Sequence, residues 1–297
     1  DETQSDEPDI MTRMLGPKPP AQNVPTVPFD ERIIKRGGAV FVVNDEAHHT
    51  HDEESEWNKT IRRIHEAIKG DNPAGVIQLD MTATPRYSKG SLFTWTVFDY
   101  PLKQAILDNV VKRPLKGVAK GLGEAASDIA SVRYQTYLTA GVNRWREYRD
   151  QLAILKRKPV LFVMMSSTKD ADEVADYLRT KYPSEFAGDK LHVIHTDLKG
   201  DISKRDEDDA RDVAKRIDEP ESPVNCIVSV LMLREGWDVQ SVTVVVGLRP
   251  YTSKANILPE QTIGRGLRLM FRGSNKMGEE ATYRERVDVI GNKAFIE

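Results

Sequence analysis

The sequence predicts an α/β protein with two parallel-sheet domains, the first of them incomplete, joined by a helical insert. Short apolar runs typical of buried strands, such as 39–43 and 160–165, alternate with segments of helical periodicity. Strands that alternate with helices are typical of βαβ units and therefore of a parallel sheet. The alternation starts a second time at Pro159, which predicts the second domain.

Length and composition fit two soluble globular domains. The chain has 297 residues, of which 39% are hydrophobic and 30% charged, with a net charge of −3. No apolar run approaches the roughly 18 residues that span a bilayer, and the acidic, polar start is unlike a signal peptide. The single cysteine, Cys226, lies in an apolar run, which predicts a buried hydrophobe and no disulfide. The sequence therefore predicts a cytoplasmic protein without membrane contact.

The first half of the chain divides into a linker and a first domain. Residues 1–30 are acidic and then rich in proline, which is typical of an irregular linker. Residues 31–110 are predicted to be the first domain. Its strands are expected at 39–44, 75–81 and 93–98, and its helices at 54–70 and 101–109.

The second half divides into a connection and a second domain. Residues 111–158 are predicted to be a helical connection, in which Gly141 is expected to break the helix in two. Residues 159–297 are predicted to be the second domain. Its strands are expected at 160–165, 191–195, 224–230, 242–248 and 286–290, and its helices at 169–182, 203–217 and 260–270.

Two adjacent carboxylates follow the first strand. Asp45 and Glu46 come directly after the apolar run, and ligands of open α/β sheets lie just outside the carboxyl ends of the strands. One carboxylate can hold a hydrated Mg²⁺, and the other can orient or deprotonate a water. Taken alone, such a pair is more often a solvated loop or a helix cap, so the interpretation needs further motifs.

Further motifs follow in a fixed order. Thr82-Ala83-Thr84-Pro85 closes the second strand, and Gln261-Thr262-Ile263-Gly264-Arg265-Gly266-Leu267-Arg268 lies far downstream. Together with Asp45-Glu46-Ala47-His48 they resemble motifs II, III and VI of the superfamily 2 helicases and translocases of the DEAD/DEAH type. The resemblance covers residues 38–110 and 159–291 well. It implies two RecA-like domains that face each other across a cleft with ATP between them.

The resemblance assigns the catalytic roles. Asp45 would hold Mg²⁺ through water, and Glu46 would act on the attacking water. Arg265 and Arg268, three apart on a predicted helix, would be the cationic groups that contact phosphate; the alternative is two solvated helix arginines. Two flanking glycines, Gly264 and Gly266, weaken a helix by about 1 kcal/mol each, which we take to indicate close approach to a ligand or the other domain.

The same resemblance assigns the binding and coupling roles. Gln261 would contact the nucleotide or His48, and Thr82 and Thr84 would relay nucleotide state to the nucleic-acid path. The alternative for the threonines is local satisfaction of backbone groups at a strand end. Ser166, Ser167 and Thr168 match motif IV, and His195 and Thr196 lie where the family contacts the nucleic-acid backbone; such contacts position the chain without reading sequence.

One motif narrows the family. Leu233-Arg234-Glu235-Gly236-Trp237-Asp238-Val239 resembles motif V, in which Gly236 gives a tight backbone and Asp238 contacts the ribose or helps to position Arg265. Together with Leu248-Arg249-Pro250-Tyr251 and Ile257-Leu258-Pro259-Glu260, it is most similar to the helicase subunits of type III restriction enzymes.

Two other groups of residues are expected to be less informative. Basic clusters at 112–113, 144–149 and 156–158 could line a groove for nucleic acid, although a solvated face is the usual alternative. His48, His49 and His51 lie near several acids, but their spacing is not that of HExxH, and no cysteine cluster completes a zinc site. We expect His49 and His51 on the surface and His192 to be buried or to cap a strand.

A phosphate-binding loop of the form G-x-x-x-x-G-K-[ST] does not occur in the sequence. The chain thus resembles a helicase core without its N-terminal P-loop part, which we expect upstream in a parent protein. The isolated chain is therefore expected to be inactive as an ATPase.

The sequence predicts part of an ATP-dependent DNA helicase or translocase of restriction-enzyme type. The implied cofactors are ATP and Mg²⁺. The implied partners are DNA, with RNA not excluded, and a nuclease or methyltransferase. The alternatives are a non-catalytic module that binds nucleic acid or a protein partner, and an RNA helicase.

Overall fold

The computed structural model describes residues 28–47, 50–51, 53–70, 72–73, 75–83, 85, 91–117, 123–194, 213, 215–230, 239–248, 264, 266–271 and 283–292. These residues belong to two compact units: unit 1 extends to Phe93, and unit 2 begins at Thr94. The division falls before residue 110, where the first predicted domain ends. The four predicted ranges stay a prediction about domain organisation.

Unit 1 contains a two-stranded parallel sheet. Its elements are α1 (Phe29–Arg36), β1 (Val40–Asn44), α2 (Glu56–Ile68) and β2 (Val76–Asp80). Ser55 caps the N-terminus of α2, because its side chain accepts a hydrogen bond from the Asn58 amide at 3.1 Å. The apolar stripe of α2 buries Ile64 and Ile68. The strands and α2 lie where the sequence predicts them.

One face of this sheet is open within the described part of the chain. The register pairs Phe41 with Ile77 and Val43 with Leu79, so all four side chains point to the same face. Their exposed fractions are 61%, 51%, 50% and 43%, respectively. Parallel strands normally bury both faces, so unit 1 has much less core for its sheet than a complete α/β domain.

The prediction of a third strand at 93–98 is wrong. The chain is irregular there, and Trp95 and Val97 are 91% and 92% exposed. The alternation of apolar and polar residues resembles a strand. However, a strand forms only by pairing, and this segment forms no ladder with the described residues.

Unit 2 contains a six-stranded parallel sheet in the order β3-β8-β7-β4-β6-β5. Its strands are β3 (Arg113–Lys116), β4 (Val160–Met164), β5 (Leu191–Ile194), β6 (Cys226–Ser229), β7 (Val242–Gly247) and β8 (Arg286–Gly291). Its helices are α3 (Leu102–Leu107), α4 (Ala130–Arg133), α5 (Gln135–Ala153), α6 (Thr168–Lys181) and α7 (Pro183–Phe186), followed by a 3₁₀ turn at Gly188–Lys190. The structure confirms the predicted α/β class with parallel sheets.

Both faces of the unit 2 sheet are buried. On one face Leu161 and Val163 pack with residues of α5 and α6, and on the other Phe162 and Met164 pack with Ile217 and Leu267. Every residue of β4, β6 and β7 is buried, Cys226 included, and burial raises the pKa of the Cys226 thiol. No helix within the described residues is long and apolar enough to cross a membrane.

Two expectations for the helical connection need correction. Residues Arg113–Lys116 form an edge strand that pairs with β8, although their basic residues and proline resemble a linker. In addition, α5 runs unbroken through Gly141, and the chain bends earlier, at Tyr134. A Cβ at Gly141 would lie 2.4 Å from Cγ2 of Val246, so the glycine allows α5 to pack closely on β7.

Candidate functional site

The ends of β1 and β2 are tied together in unit 1. The register places Asn44 beside Asp80, and the Asn44 amide donates to Oδ1 of Asp80 at 2.7 Å. Beyond the strands, the Met81 amide donates to the Asn44 carbonyl at 2.8 Å and the Ala47 amide to the Met81 carbonyl at 3.0 Å. These bonds hold the turn at 45–47 against the segment that follows β2.

The turn carries Asp45 and Glu46 in an uncommon conformation. Glu46 has a φ of 49°, in the left-handed region that residues other than glycine seldom adopt. Its amide donates to Oδ1 of Asp45 at 2.9 Å. Asp45 is exposed, and Glu46 is half-buried. Two carboxylates are therefore held at the carboxyl end of a strand, one of them accessible to a hydrated cation.

The loop after the turn is anchored to α2. Ala47 is fully buried, and its carbonyl accepts hydrogen bonds from the amide and hydroxyl of Thr50 at 2.9 and 2.7 Å. From α2, Trp57 donates through Nε1 to Oδ1 of Asn44 at 3.1 Å, and the Asn58 side chain donates to the Thr50 carbonyl at 2.8 Å. The backbone on both sides of Glu46 is therefore fixed by hydrogen bonds.

The structure adds Asp80 and His51 to the site. Nε2 of His51 lies 3.1 Å from Oδ2 of Asp80, and its ring stacks on Phe93 with centroids 3.9 Å apart. The expectation that His51 is a surface residue is wrong, because its side chain is only 25% exposed. The sequence signal was weak: Asp80 is a charged residue at the end of an apolar strand, directly before Met81 and Thr82.

Thr82 lies next to this network. It follows Met81, whose amide and carbonyl join the two strand ends, and it is half-buried. Ala47 of the first predicted motif is thus hydrogen-bonded to Met81, the residue that directly precedes the second motif. The coupling role of Thr82 stays a prediction.

In unit 2, the predicted nucleic-acid contacts lie at the start of α6. The Ser167 hydroxyl accepts from the Asp170 amide at 3.1 Å and caps the helix, so part of its hydrogen-bonding capacity is used within the chain. Ser166 and Thr168 are exposed on either side. Their contact with nucleic acid stays a prediction.

Arg268 lies in a bend of unit 2, after the helical residues Gly264 and Gly266. The predicted helix at 260–270 thus does not include Arg268, and Arg265 lies outside the described residues. A Cβ at Gly266 would meet its nearest neighbours at 3.6 Å, an ordinary contact, and none lies within 4 Å of one at Gly264. Close approach within unit 2 does not account for these glycines.

Two buried charged residues hold this bend. The carboxylate of Glu285 accepts the amides of Met270 and Phe271 at 2.5 and 3.2 Å. The backbone amide of Lys112 donates to the Leu267 carbonyl at 2.6 Å. The Lys112 amine donates to the Val242 carbonyl at 2.6 Å and to the Gln240 carbonyl, and burial lowers the pKa of Lys112 to about 8.

The predicted basic clusters are engaged within unit 2. Lys112 is 1% exposed, and Lys158 donates to the Ser222 carbonyl. Arg144 is paired with Asp288, Arg146 with Glu185 at 3.0 Å, and Arg149 with Asp150 at 3.0 Å. Lys112 therefore belongs neither to a basic groove nor to a solvated face, whereas Arg113 and Lys156 are exposed, as the solvated-face alternative predicts.

Eight predicted site residues lie outside the described part of the chain: His48, Thr84, His195, Thr196, Gly236, Asp238, Gln261 and Arg265. The predicted helix at 203–217 also lies largely outside it. His192 lies in β5 and is half-buried, and burial lowers the pKa of its imidazole.

The donor chemistry at the strand ends suits a weakly held cation. No group of three or more His, Cys, Asp or Glu side chains within the described residues could hold a metal ion. Mg²⁺ is often bound through one or two carboxylates and several waters, so a single accessible carboxylate such as Asp45 is compatible with it. Residues 48 and 49 lie outside the described part.

Comparisons with known proteins find similar solved structures at low identity. No family model matches this chain, and neither does any curated protein. Among solved structures, it is similar to the ATP-dependent type ISP restriction-modification enzyme LlaBIII bound to DNA, at 17% identity and a TM-score of 0.44, over 88% of this chain and 19% of that one. It is also similar to the Mycobacterium smegmatis helicase Lhr bound to ssDNA and AMP-PNP, at 16% identity and a TM-score of 0.44, over 88% and 29%.

The chain therefore spans less than a third of either structure. Similarity at this identity and TM-score carries no argument about the fold, the residues or the activity of this chain. The function of this chain is therefore argued from the sequence motifs and from the site in unit 1.

Proposed function

We propose that this chain is part of an ATP-dependent helicase or translocase that acts on DNA. The observation that carries the proposal is the turn of Asp45 and Glu46, in which a strained glutamate is held at the carboxyl end of a parallel strand. The same turn is hydrogen-bonded to the segment with the Thr82 motif. Backbone strain of this kind clusters at functional sites, because it persists only where the surroundings over-determine it.

The chemistry follows from the two carboxylates. Asp45 would hold Mg²⁺ through water, and a bound Mg²⁺ would neutralise charge on the phosphates of ATP. Glu46 would orient the water that attacks and accept its proton. The lysine of a phosphate-binding loop is not part of this sequence, so the proposal requires it from another part of the parent protein.

The assignment to a particular helicase family rests on the exact residues of the motifs. The Arg-Glu-Gly-Trp-Asp run at 234–238 and the Arg-Pro-Tyr run at 249–251 favour the helicase subunits of type III restriction enzymes. On this assignment Arg265 and Arg268 contact the phosphates, and Ser166 and Thr168 contact the backbone of DNA. A nuclease or methyltransferase would act with the parent protein in the cytoplasm.

The test is ATP turnover by the full-length protein that carries this chain, with and without duplex DNA and with RNA as competitor. We expect DNA to stimulate turnover, RNA to compete poorly, and Glu46→Gln to lower turnover by about 100-fold to 10,000-fold. Glu53→Gln is the matched control, since Glu53 is an exposed carboxylate of the same loop that pairs with Arg62. Equal turnover in Glu46→Gln and wild type would contradict the proposal.

One observation favours a second function. The absence of the phosphate-binding loop from the sequence is what a non-catalytic module would show. Such a module would bind DNA with the same affinity in the presence and absence of ATP and Mg²⁺, and the full-length protein would not hydrolyse ATP. Stimulation by RNA instead of DNA would indicate an RNA helicase.

A further inference from the structure

The Asp80 carboxylate is the centre of a small polar network at the strand ends of unit 1, in which Asn44 and Gln78 are hydrogen-bonded to it and His51 lies within ion-pair distance. Oδ1 accepts from the Asn44 side chain at 2.7 Å, and Oδ2 lies 3.1 Å from Nε2 of His51. Gln78 donates to both oxygens, at 2.8 and 2.9 Å. One carboxylate thus contacts the end of β1, its own strand and the loop that follows the Asp45–Glu46 turn.

The network encloses the proposed catalytic turn. Asn44 immediately precedes Asp45, and His51 lies five residues after Glu46. Asn44 is 1% exposed, and its other polar atom accepts from Trp57, so its side chain cannot shift without breaking one of two hydrogen bonds. Both ends of the segment from 44 to 51 therefore contact the same carboxylate, Asn44 through a hydrogen bond and His51 through its imidazole at 3.1 Å.

We propose that Asp80 and His51 are positioning residues, which hold the Asp45–Glu46 turn in its strained conformation and join it to the segment with Thr82. This inference rests on the proposed function for its effect on catalysis, although the bracing itself does not. A left-handed glutamate relaxes unless its neighbours hold it, and the misplacement of a catalytic group by about 1 Å can cost 100-fold in rate.

The chain provides a matched control at the other end of the same strand. Nδ1 of His65 accepts a hydrogen bond from the Val76 amide at 3.2 Å, and its ring packs against Gly75. His65 therefore braces the start of β2, whereas His51 is paired with its end. Loss of either histidine should weaken unit 1, but only loss of His51 should move Glu46.

The first arm of the experiment is steady-state ATP turnover by the full-length protein with saturating DNA. We expect Asp80→Asn and His51→Leu each to lower kcat by about 10-fold to 100-fold with little change in the KM for ATP. His51→Gln, which keeps one donor, should recover part of the loss. His65→Leu should lower the melting temperature but leave kcat within about twofold of wild type.

The double variant Asp80→Asn/His51→Leu tests whether the two residues act together. If Asp80 and His51 act as one unit, the double variant should have the same kcat as the less active of the two single variants. Losses that multiply, or a kcat of His65→Leu as low as that of His51→Leu, would overturn the inference.

The second arm does not depend on catalysis. Amide hydrogen exchange at Ala47 and Met81, together with the indole NMR signal of Trp57, reports whether the turn is still held. We expect faster exchange and a shifted indole signal in Asp80→Asn and His51→Leu, and no change at these positions in His65→Leu. Unchanged exchange in all variants would overturn the inference even if the wild type hydrolyses ATP. If the variants exchange faster but the wild type has no ATP turnover, the inference that Asp80 and His51 hold the turn would stand. Only the proposed function would then be refuted.

Discussion

The two units use polar side chains in different ways. In unit 2, both faces of the sheet are buried, and buried charged residues such as Lys112 and Glu285 form hydrogen bonds with backbone groups of the same unit. In unit 1, the polar groups gather at the ends of two strands, and the catalytic candidates Asp45 and Glu46 remain partly accessible. The difference teaches that burial alone does not mark the functional residues, since the most deeply buried charges are structural.

The largest effect is expected at Arg268, the one unit 2 residue of the described part that we assign to catalysis. Arg268→Ala should lower ATP turnover by about 1,000-fold or more, as for other arginines that stabilise phosphoryl transfer. Arg284→Ala is the control, because Arg284 is an exposed arginine of the same unit that donates to Asn109. Turnover of Arg268→Ala within tenfold of wild type would contradict the catalytic role given to Arg268.

A smaller effect is expected from the core of unit 2. Trp145 is 1% exposed, stacks on Phe186 at 5.2 Å and donates to the Pro159 carbonyl at 2.9 Å. Trp145→Ala should lower the free energy of unfolding by about 3–5 kcal/mol, measured by urea denaturation. Trp95→Ala should change it little, because Trp95 is 91% exposed. Equal losses from the two variants would contradict the contrast between covered and open surfaces.

Close packing of α5 on β7 predicts the next effect. Gly141→Ala would place a methyl group 2.4 Å from Cγ2 of Val246, so we expect a loss of about 1–3 kcal/mol in the free energy of unfolding. Gly123→Ala meets no atom within 4 Å and should be nearly neutral. A neutral Gly141→Ala would show that the helix can move away from the sheet.

The buried lysine predicts a pH dependence for unit 2. The folded-state pKa of Lys112 is about 8 because of burial, below the unfolded value of about 10.4, so between these values only the unfolded chain holds the proton. Stability should therefore rise with pH across this window, by up to about 1.4 kcal/mol per unit. The rise should be measured from pH 7.5 to about 9.5, because deprotonation of tyrosines opposes it above pH 10.

A substitution at Lys112 isolates this contribution. Lys112→Met should flatten the rise of the unfolding free energy with pH, while Lys116→Met, at an exposed position of β3, should leave it intact. Burial also lowers the pKa of the half-buried Lys158 to about 8. Lys158 therefore contributes to the rise of the unfolding free energy with pH, and both variants retain this contribution. An unchanged slope in Lys112→Met would show that this amine stays charged in the fold.

The smallest effect is expected at the basic residues of α5. Arg146→Ala/Arg149→Ala should leave DNA affinity within about twofold of wild type, because both arginines are paired within unit 2. Fluorescence anisotropy at two salt concentrations measures this. A tenfold weaker affinity with a reduced salt dependence would show that these ion pairs open to bind phosphate.

Much of the fold could be predicted from the sequence. The strands at 40–44, 76–80, 160–164 and 226–229 are apolar runs, so local sequence is enough to locate them. The strand at Arg113–Lys116 and the irregular segment at 93–98 were mispredicted, because pairing with distant residues decides both.

The site was only half predictable. Asp45, Glu46 and Thr82 belong to motifs that the sequence shows. The network of Asp80, His51 and Asn44 depends on the register that places Asn44 beside Asp80 and on a loop that returns to the end of β2. Sequence spacing does not reveal such contacts, since a helix, Glu56–Ile68, and most of β2 separate residues 44 and 51 from residue 80.

The central claim is that Glu46 acts in the chemical step of ATP hydrolysis. The most direct measurement is single-turnover hydrolysis of pre-bound ATP by the full-length protein with DNA, beside the affinity for ATP. The account predicts that Glu46→Gln binds ATP within about threefold of wild type but hydrolyses it at least about 100-fold more slowly. Hydrolysis at the wild-type rate, or loss of ATP binding without a slower chemical step, would contradict it.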